Sequence, residues 1–280
     1  MADYEAILYE EIDGVAWITM NRPDVHNAFN FTMQAELKDV WRSLRHNDDV
    51  RCAVLTGAGD KAFCVGIDRM EAMGDWSEED DIATTSAVGT GAAGTATPWH
   101  FDDIGENIGP KTNDLWKPVI AAVNGMACGG AFYMLGEVEF IIAAEHATFF
   151  DPHVTYGMTA CFESMHMLQK MPFGEIMRVG LLGASERMTA QRAHQIGLVS
   201  EVVSADGLHD AAAWAAGEIA KSPPIAIQGT VRAIWMAREL SRMQALDAGR
   251  VLIRLGSDPK SLMDGQERFA SGERLKPRTR

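Results

Sequence analysis

Residues 6–20, AILYEEIDGVAWITM, hold two short and partly alternating apolar runs around Asp13-Gly14, the pattern of a β-hairpin with a tight turn. NRPDVHNAF then breaks the alternation. From Phe31 to Leu44 the apolar residues Leu37, Val40, Trp41 and Leu44 recur at helical spacing, predicting a helix with one buried face. Arg51 to Gly57, RCAVLTG, reads as a short strand closed by glycine. A further helix is expected to reach Trp116, strands to occupy 118–123 (PVIAAV) and 139–144, and NGMACGG to turn into a helix between them. Strands alternating with helices predict an α/β protein.

After Ser200 the pattern changes to Ala-rich amphipathic helix, with candidates at 209–220, 225–240 and 243–255 and a break at Ser222-Pro223-Pro224. The chain therefore divides into an α/β core over 1–199 and a helical region over 200–280 that packs on the body or on sister subunits. Residues 74–97 are rich in Gly, Ala, Ser and Thr, so an insertion near 74–110 is expected, either beside a cleft or as a solvated surface loop.

Composition narrows the function classes. With 280 residues, 47% of them hydrophobic, the chain can bury a sizeable core. A net charge of -14 is a poor footprint for gripping a nucleic-acid backbone. The charge is unevenly placed: residues 71–110 carry nine acids and no Lys or Arg, whereas 221–280 carry twelve bases against six acids. Four cysteines without CxxC spacing suggest reduced thiols in a cytoplasmic protein. No signal-peptide pattern or uninterrupted apolar span is seen, so no stable membrane insertion is expected.

Two loops share a grammar. AFCVGIDRM (62–70) and NGMACGGAFYML (124–135) each follow a strand and place glycine where a helix is expected to begin. Paired backbone N–H groups from such loops can hold a developing oxyanion, although ordinary tight turns would look the same. Neither loop has the phosphate-loop pattern. No HExxH or GxSxG occurs, and His100 with Asp102, Asp103 and Glu106 reads as a solvated acidic loop sooner than a metal or acid/base site, so no metal is expected.

The order of NRPDVHNAF, CAVLTGAGDKAFCVGIDRM, KPVIAAVNGMACGGAFYM and ERMTAQRAHQIGLVSEVV resembles the enoyl-CoA hydratase/isomerase, or crotonase, superfamily over about residues 5–265. The resemblance implies a superhelical core of ββα turns followed by helices that build homotrimers, commonly paired into dimers of trimers. It implies an acyl-CoA thioester as substrate and no prosthetic group. The carbonyl would sit between the backbone N–H groups of Ile67 and Gly130. His26, Asn27, Ala28, Phe63, Gly66, Ile67 and Asp68 would line the nucleotide and pantetheine path, with Arg69 and tail arginines as candidate phosphate contacts.

The chain departs from the family where hydratases carry two glutamates. Nine residues after Asn124 stands Tyr133, and after Pro152 stands His153. The position from which other members take an aspartate is Cys161, with Glu163 two residues beyond on a helix expected to start near Thr159. His153 can serve as a base near neutral pH, or form a buried hydrogen bond beside Asp151; spacing alone does not establish that pair. Tyr133 can bond the thioester or close an acyl pocket, Glu163 can reach the acyl group or sit in a tertiary ion pair, and Glu137 shares the helical face of Tyr133. Hydration of a 2-enoyl-CoA is the nominal reaction. Isomerisation, hydrolysis and acyl-CoA binding without catalysis stay open.

Overall fold

The computed structural model describes residues 4–73, 105, 108–272, 274 and 276–279. The insertion expected near 74–110 lies almost wholly outside them, as does the His100, Asp102, Asp103 and Glu106 group. Strands β1 (Ile7–Ile12) and β2 (Val15–Met20) pair antiparallel from Ile7↔Met20 to Ile12↔Val15. That register leaves Asp13 and Gly14 as the turn, at φ 50° and 78°, the two positive φ values a twisted hairpin wants. Helix α1 (Phe31–Leu44) starts where Asn30 accepts the Met33 N–H and buries Met33, Leu37, Val40, Trp41 and Leu44.

From there each turn of chain adds one strand to each of two sheets. Strands β3 (Cys52–Gly57), β5 (Val119–Val123) and β7 (Phe140–Ala144) run parallel in the first. The second takes β4 (Ala62–Cys64), β6 (Met126–Cys128) and β8 (Thr148–Phe150). With β9 (Met188–Thr189) and β10 (Glu201–Val203) the orders become β1-β2-β3-β5-β7-β10 and β4-β6-β8-β9. Helices α2 (Arg69–Met73) and α3 (Ala131–Glu137) close two of these turns, which makes the fold a crotonase-like ββα superhelix. The main core, with Ile18, Phe29, Leu37, Trp41, Phe63, Phe132 and Phe149 each at most 1% exposed, packs along this spiral.

Two expectations are corrected here. No helix precedes Trp116 among residues 108–116: Asp114 takes φ 59° and the segment is a chain of turns. NGMACGG is not only a turn, because Met126–Cys128 is recruited as β6 between β4 and β8. A weak local signal is overridden by tertiary contacts in both places, by Glu137 accepting from Lys111 and Thr112 in the first and by strand pairing in the second.

Helices α4 (Phe162–Leu168), α5 (Phe173–Leu182) and α6 (Ala190–Gln195) lead to the helical end. Helix α4 begins at Phe162 rather than near Thr159 as expected. Helix α7 (Leu208–Ala220) lays Leu208, Ala211, Ala212 and Ala216 on Val15, Cys52, Val54, Ile120, Ala122 and Ile142, so it covers the outer face of the first sheet. The last strand of that sheet and its cover both come from beyond residue 199. Helices α8 (Pro224–Glu239) and α9 (Arg242–Leu255) follow, the latter opened by a Ser241/Gln244 capping box. A last helix, α10 (Pro259–Ala270), was not expected; Asp258 caps it and Pro259 takes its first position.

Candidate active site

The second sheet points its strand ends at one place. After β4 the chain turns through Gly66 at φ 89°, and after β6 through Gly129 at φ 54°, backbone conformations that suit glycine. Phe29 bridges to this first loop: its N–H donates to the Gly66 carbonyl at 2.9 Å, and its carbonyl accepts the Asp68 N–H at 2.9 Å. This parallel bridge leaves the N–H of Ile67 facing away from Phe29, and among the described residues it has no acceptor. The N–H of Gly130, where α3 begins, likewise has none. The loops are in contact: a Cβ on Gly66 would fall 2.9 Å from the Gly130 nitrogen, and one on Gly130 would fall 2.7 Å from the Phe29 ring. Two neighbouring, unsatisfied N–H groups are what buried backbone normally avoids.

Beside them three side chains form a line. Asp151 leaves the end of β8 completely buried, and its Oδ1 accepts the backbone N–H of His153 at 3.0 Å while facing His153 Nδ1 at 2.5 Å. The opposite nitrogen, His153 Nε2, lies 3.3 Å from Oε1 of Glu163, a buried residue in the first turn of α4. The Asp151–His153 pair left open by spacing is thus formed. Burial is the strongest influence on the imidazole and lowers its pKa. The Asp151 hydrogen bond and the charges of Glu163 and Asp151 together outweigh it against opposition from Arg69, so His153 stands above its ordinary value. Among the described residues, Asp151 Oδ2 is buried without a hydrogen-bond partner.

These three residues also put one nitrogen and two carboxylate oxygens within 4.8 Å of one another, where the sequence expectation had no metal ligands. The chemistry of the donor set suits a divalent cation, but the 2.5 Å between Asp151 Oδ1 and His153 Nδ1 is a hydrogen-bond distance. Two ligands on one ion at bonds of about 2.0–2.1 Å stand roughly 3 Å apart, so Asp151 orients the ring rather than joining a metal shell.

Tyr133 is buried in the first turn of α3, its ring tilted against His166 at 5.2 Å between centroids, and a Cβ on Gly105 would collide with that ring at 2.1 Å. Glu137, one turn on, is taken up by the preceding segment. It accepts the N–H groups of Lys111 at 2.7 Å and Thr112 at 2.9 Å, and the Thr112 hydroxyl as well. His166 Nδ1 lies 4.0 Å from its Oε1. Glu137 is therefore an anchor for the turns around 108–116.

The 22–29 segment is built from inside. Asn27 is completely buried, and its amide accepts the Arg22 N–H at 3.0 Å and donates to the carbonyls of Ala58 and Ala62 at 2.9 Å each. His26, in a left-handed conformation at φ 56°, is exposed, Ala28 is buried, and Phe63 sits in the core. Arg22, which sequence reasoning passed over, clamps the Ala28 carbonyl at 2.7 Å and Asp68 at 2.9 Å. Arg69 is exposed and lies over the Tyr156 ring at 5.3 Å, near the mouth of the His153 site. Cys161 precedes α4 half-buried, whereas burial pushes the thiols of Cys52, Cys64 and Cys128 up to about 12.

Two mostly parallel sheets wound as ββα turns, with paired loop N–H groups at their strand ends, define the class. The family model described as enoyl-CoA hydratase/isomerase matches residues 10–89 and 105–278, and the chain belongs to that family. It is 30% identical over 272 residues to an (E)-benzylidenesuccinyl-CoA hydratase of Thauera aromatica, covering 97% of each chain. It is 29% identical to a 1,2-epoxyphenylacetyl-CoA isomerase of Escherichia coli over 95% of each. Among solved structures, an enoyl-CoA hydratase/isomerase from Mycobacterium paratuberculosis superposes at a TM-score of 0.80 with 30% identity, covering 96% of this chain and 97% of that one. Among the described residues no helix is long and apolar enough to cross a membrane.

Proposed function

We propose that the protein transforms an acyl-CoA thioester, and that its reaction is hydration of a 2-enoyl-CoA. The thioester carbonyl lies against the N–H groups of Ile67 and Gly130, which take the negative charge as it develops on oxygen. Donors aimed at that charge contribute about 2.7–4 kcal/mol each in comparable sites. No prosthetic group is required, because polarisation and proton transfer come from the chain itself.

The Asp151–His153–Glu163 line carries this reading, since it sets an imidazole and a carboxylate 3.3 Å apart to serve as proton donor and proton acceptor. Glu163 takes a proton from water as the water oxygen bonds to the β carbon. The imidazolium of His153 then delivers its proton to the α carbon. Proton passage from Glu163 to His153 Nε2 restores the starting pair, and the net change is one water added across the double bond. Asp151 holds the ring and stabilises its charged form. Tyr133 walls the acyl site, and His26, Ala28, Phe63, Gly66, Asp68 and Arg69 shape the approach of the CoA portion, with Asn27 setting the loop from within.

The assembly belongs to the same proposal. Met243, Leu246, Val251, Ile253, Leu255, Leu262, Met263 and Phe269 are all more than half exposed on α9 and α10. Burying such a face between copies yields a homotrimer or a dimer of trimers. The setting is the cytoplasm, in keeping with thiols that form no disulfide.

Turnover of a panel of 2-enoyl-CoA thioesters, read as loss of the conjugated chromophore and as water incorporated into product, tests the reading. His153→Ala and Glu163→Gln are each expected to lower kcat by about 10²–10⁴. Migration of the double bond without water, or release of free CoA, would replace hydration by isomerisation or hydrolysis. Tight binding with no turnover that either variant changes would make the protein a non-catalytic acyl-CoA binder.

A further inference from the structure

The Ile67 N–H and the imidazole of His153 come from different loops of the second sheet. Ile67 follows β4 and His153 follows β8, and β6 stands between those two strands, so their loops share no ladder. Each loop is fixed on its own side. Just past Ile67, Asp68 is held by Arg22 at 2.9 Å and gives its N–H to the Phe29 carbonyl at 2.9 Å. One turn farther, Glu71 Oε1 accepts the Phe31 N–H at 3.2 Å. His153 opens a single 3-10 turn, His153–Tyr156, whose Thr155 hydroxyl accepts the Ala184 N–H at 2.8 Å.

Arg69 crosses from one loop to the other. It is the first residue of α2, two positions after Ile67, and its guanidinium lies 5.3 Å from the centre of the Tyr156 ring, at the far end of the turn that His153 begins. Tyr156 is 59% exposed, so burial does little to fix it, and the cation against its face supplies a contact that burial does not.

The same guanidinium bears on the charge of the imidazole. Among the described residues, Asp151 at the end of β8 and Glu163 on α4 face His153 with negative charge, and Arg69 on α2 opposes them with positive charge. One side chain thus rests on the turn that carries His153 and acts on the protonation of its ring.

We propose that Arg69 and Tyr156 form a clamp across the mouth of the site, with Arg69 a positioning residue that sets the turn bearing His153 against the loop bearing the Ile67 N–H. Its role in turnover rests on the acyl-CoA reading above.

The test pairs turnover with titration in the full chain. Arg69→Gln and Tyr156→Ala are each expected to lower kcat about two- to fivefold on the best substrate of the 2-enoyl-CoA panel, the range that an exposed cation–π contact supplies, with KM nearly unchanged. The double variant should be no slower than either single one, because both break the same contact. Tyr156→Phe keeps the ring and Arg69→Lys keeps the charge, so each should retain most of the rate. Without substrate, the His153 resonance of protein labelled at histidine Cε1, assigned by its loss in His153→Ala, should titrate at higher pH in Arg69→Gln than in the native chain. Tyr156→Ala should move it the same way by less, a shift that a merely structural role would not produce. Additive losses in the double variant, a raised KM with unchanged kcat in Arg69→Gln, or a His153 titration that neither variant moves would overturn the clamp. If no thioester were turned over while both variants still moved His153, the acyl-CoA reading would fall and the clamp would stand.

Discussion

Asp151→Asn isolates charge from geometry at the centre of the proposed mechanism. The asparagine keeps an oxygen where Oδ1 accepts the His153 backbone N–H at 3.0 Å and meets Nδ1 at 2.5 Å, and it removes the negative charge. The pair is hardly screened, with side-chain exposures of 19% for His153 and 0% for Asp151. A hydrogen bond to a charged partner contributes about 1.5–3 kcal/mol and a neutral one about 0.5–1.5, so the loss is on the order of 1–1.5 kcal/mol. At 1.36 kcal/mol per tenfold in rate, kcat should fall about five- to twelvefold if the imidazolium delivers its proton in the limiting step.

The pH dependence carries the sharper test. Asp151 helps hold His153 above its ordinary value, so in the variant the limb on which kcat/KM falls as the imidazolium is lost should move to lower pH. Stability follows the same sign. A histidine whose folded pKa is raised contributes stability that is full below its unfolded pKa of about 6.5 and is lost as pH rises through the folded pKa. The stability gap between native protein and Asp151→Asn should therefore be widest below about pH 6.5 and shrink as pH rises through the raised folded pKa of His153. Among the described residues Asp151 Oδ2 is buried without a partner, a cost that replacing the charged group by a neutral amide reduces. Urea unfolding across that range, paired with pH–rate profiles, measures both. A gap that stayed constant or widened with pH, or an alkaline limb that did not move, would refute the argument.

Gly66→Ala should lower kcat about 10²–10³-fold, because its Cβ would fall 2.9 Å from the Gly130 nitrogen and displace one of the paired N–H groups. The φ of 89° adds a stability loss of about 1–2 kcal/mol, separable by thermal melts. Asn27→Ala removes one acceptor and two donor contacts inside the fold, and should cost about 2–4 kcal/mol in urea unfolding while changing KM for the thioester far less than melting temperature. Glu137→Gln should cost about 1–3 kcal/mol by weakening its hold on Lys111 and Thr112, without shifting the pH–rate profile set by His153. Light scattering should give a particle of about three, or about six, times the 30.6 kDa chain, and charged substitutions at Ile253 and Leu255 should dissociate it.

Much of the first sheet was legible along the chain. The Asp13-Gly14 turn, α1 from Phe31 to Leu44 and the apolar runs of β3, β5 and β7 announce themselves because their signals, periodicity and turn chemistry, act within a few residues. The glycines of the two loops were equally visible, since only a positive φ or a close approach demands them. The second sheet was not. Its strands β4, β6 and β8 are three residues each and too short for a period, and they exist because Ala62 and Cys64 find Met126 and Ala127, and Met126 finds Thr148. Helix α10 lies beyond the helices that periodicity predicts, although Asp258-Pro259 marks its start locally.

The chemistry divides along the same line. Residue types alone named His153, Tyr133 and Glu163 as candidates, and the i, i+2 spacing admitted an Asp151–His153 pair without deciding it. What spacing could not decide was that Glu163, on a separate helix ten residues on, would meet the other nitrogen of the imidazole, or that Glu137 would be consumed by a loop some 25 residues before it. The N–H of Ile67, without an acceptor among the described residues, owes its direction to Phe29, nearly forty residues earlier, taking the carbonyl before it and the N–H after it. Local sequence thus determined which groups could react and which turns could bear a ligand. Only the stacking of one ββα turn on the next decided which of those groups face one another, because the contacts that orient them join segments with no shared local signal.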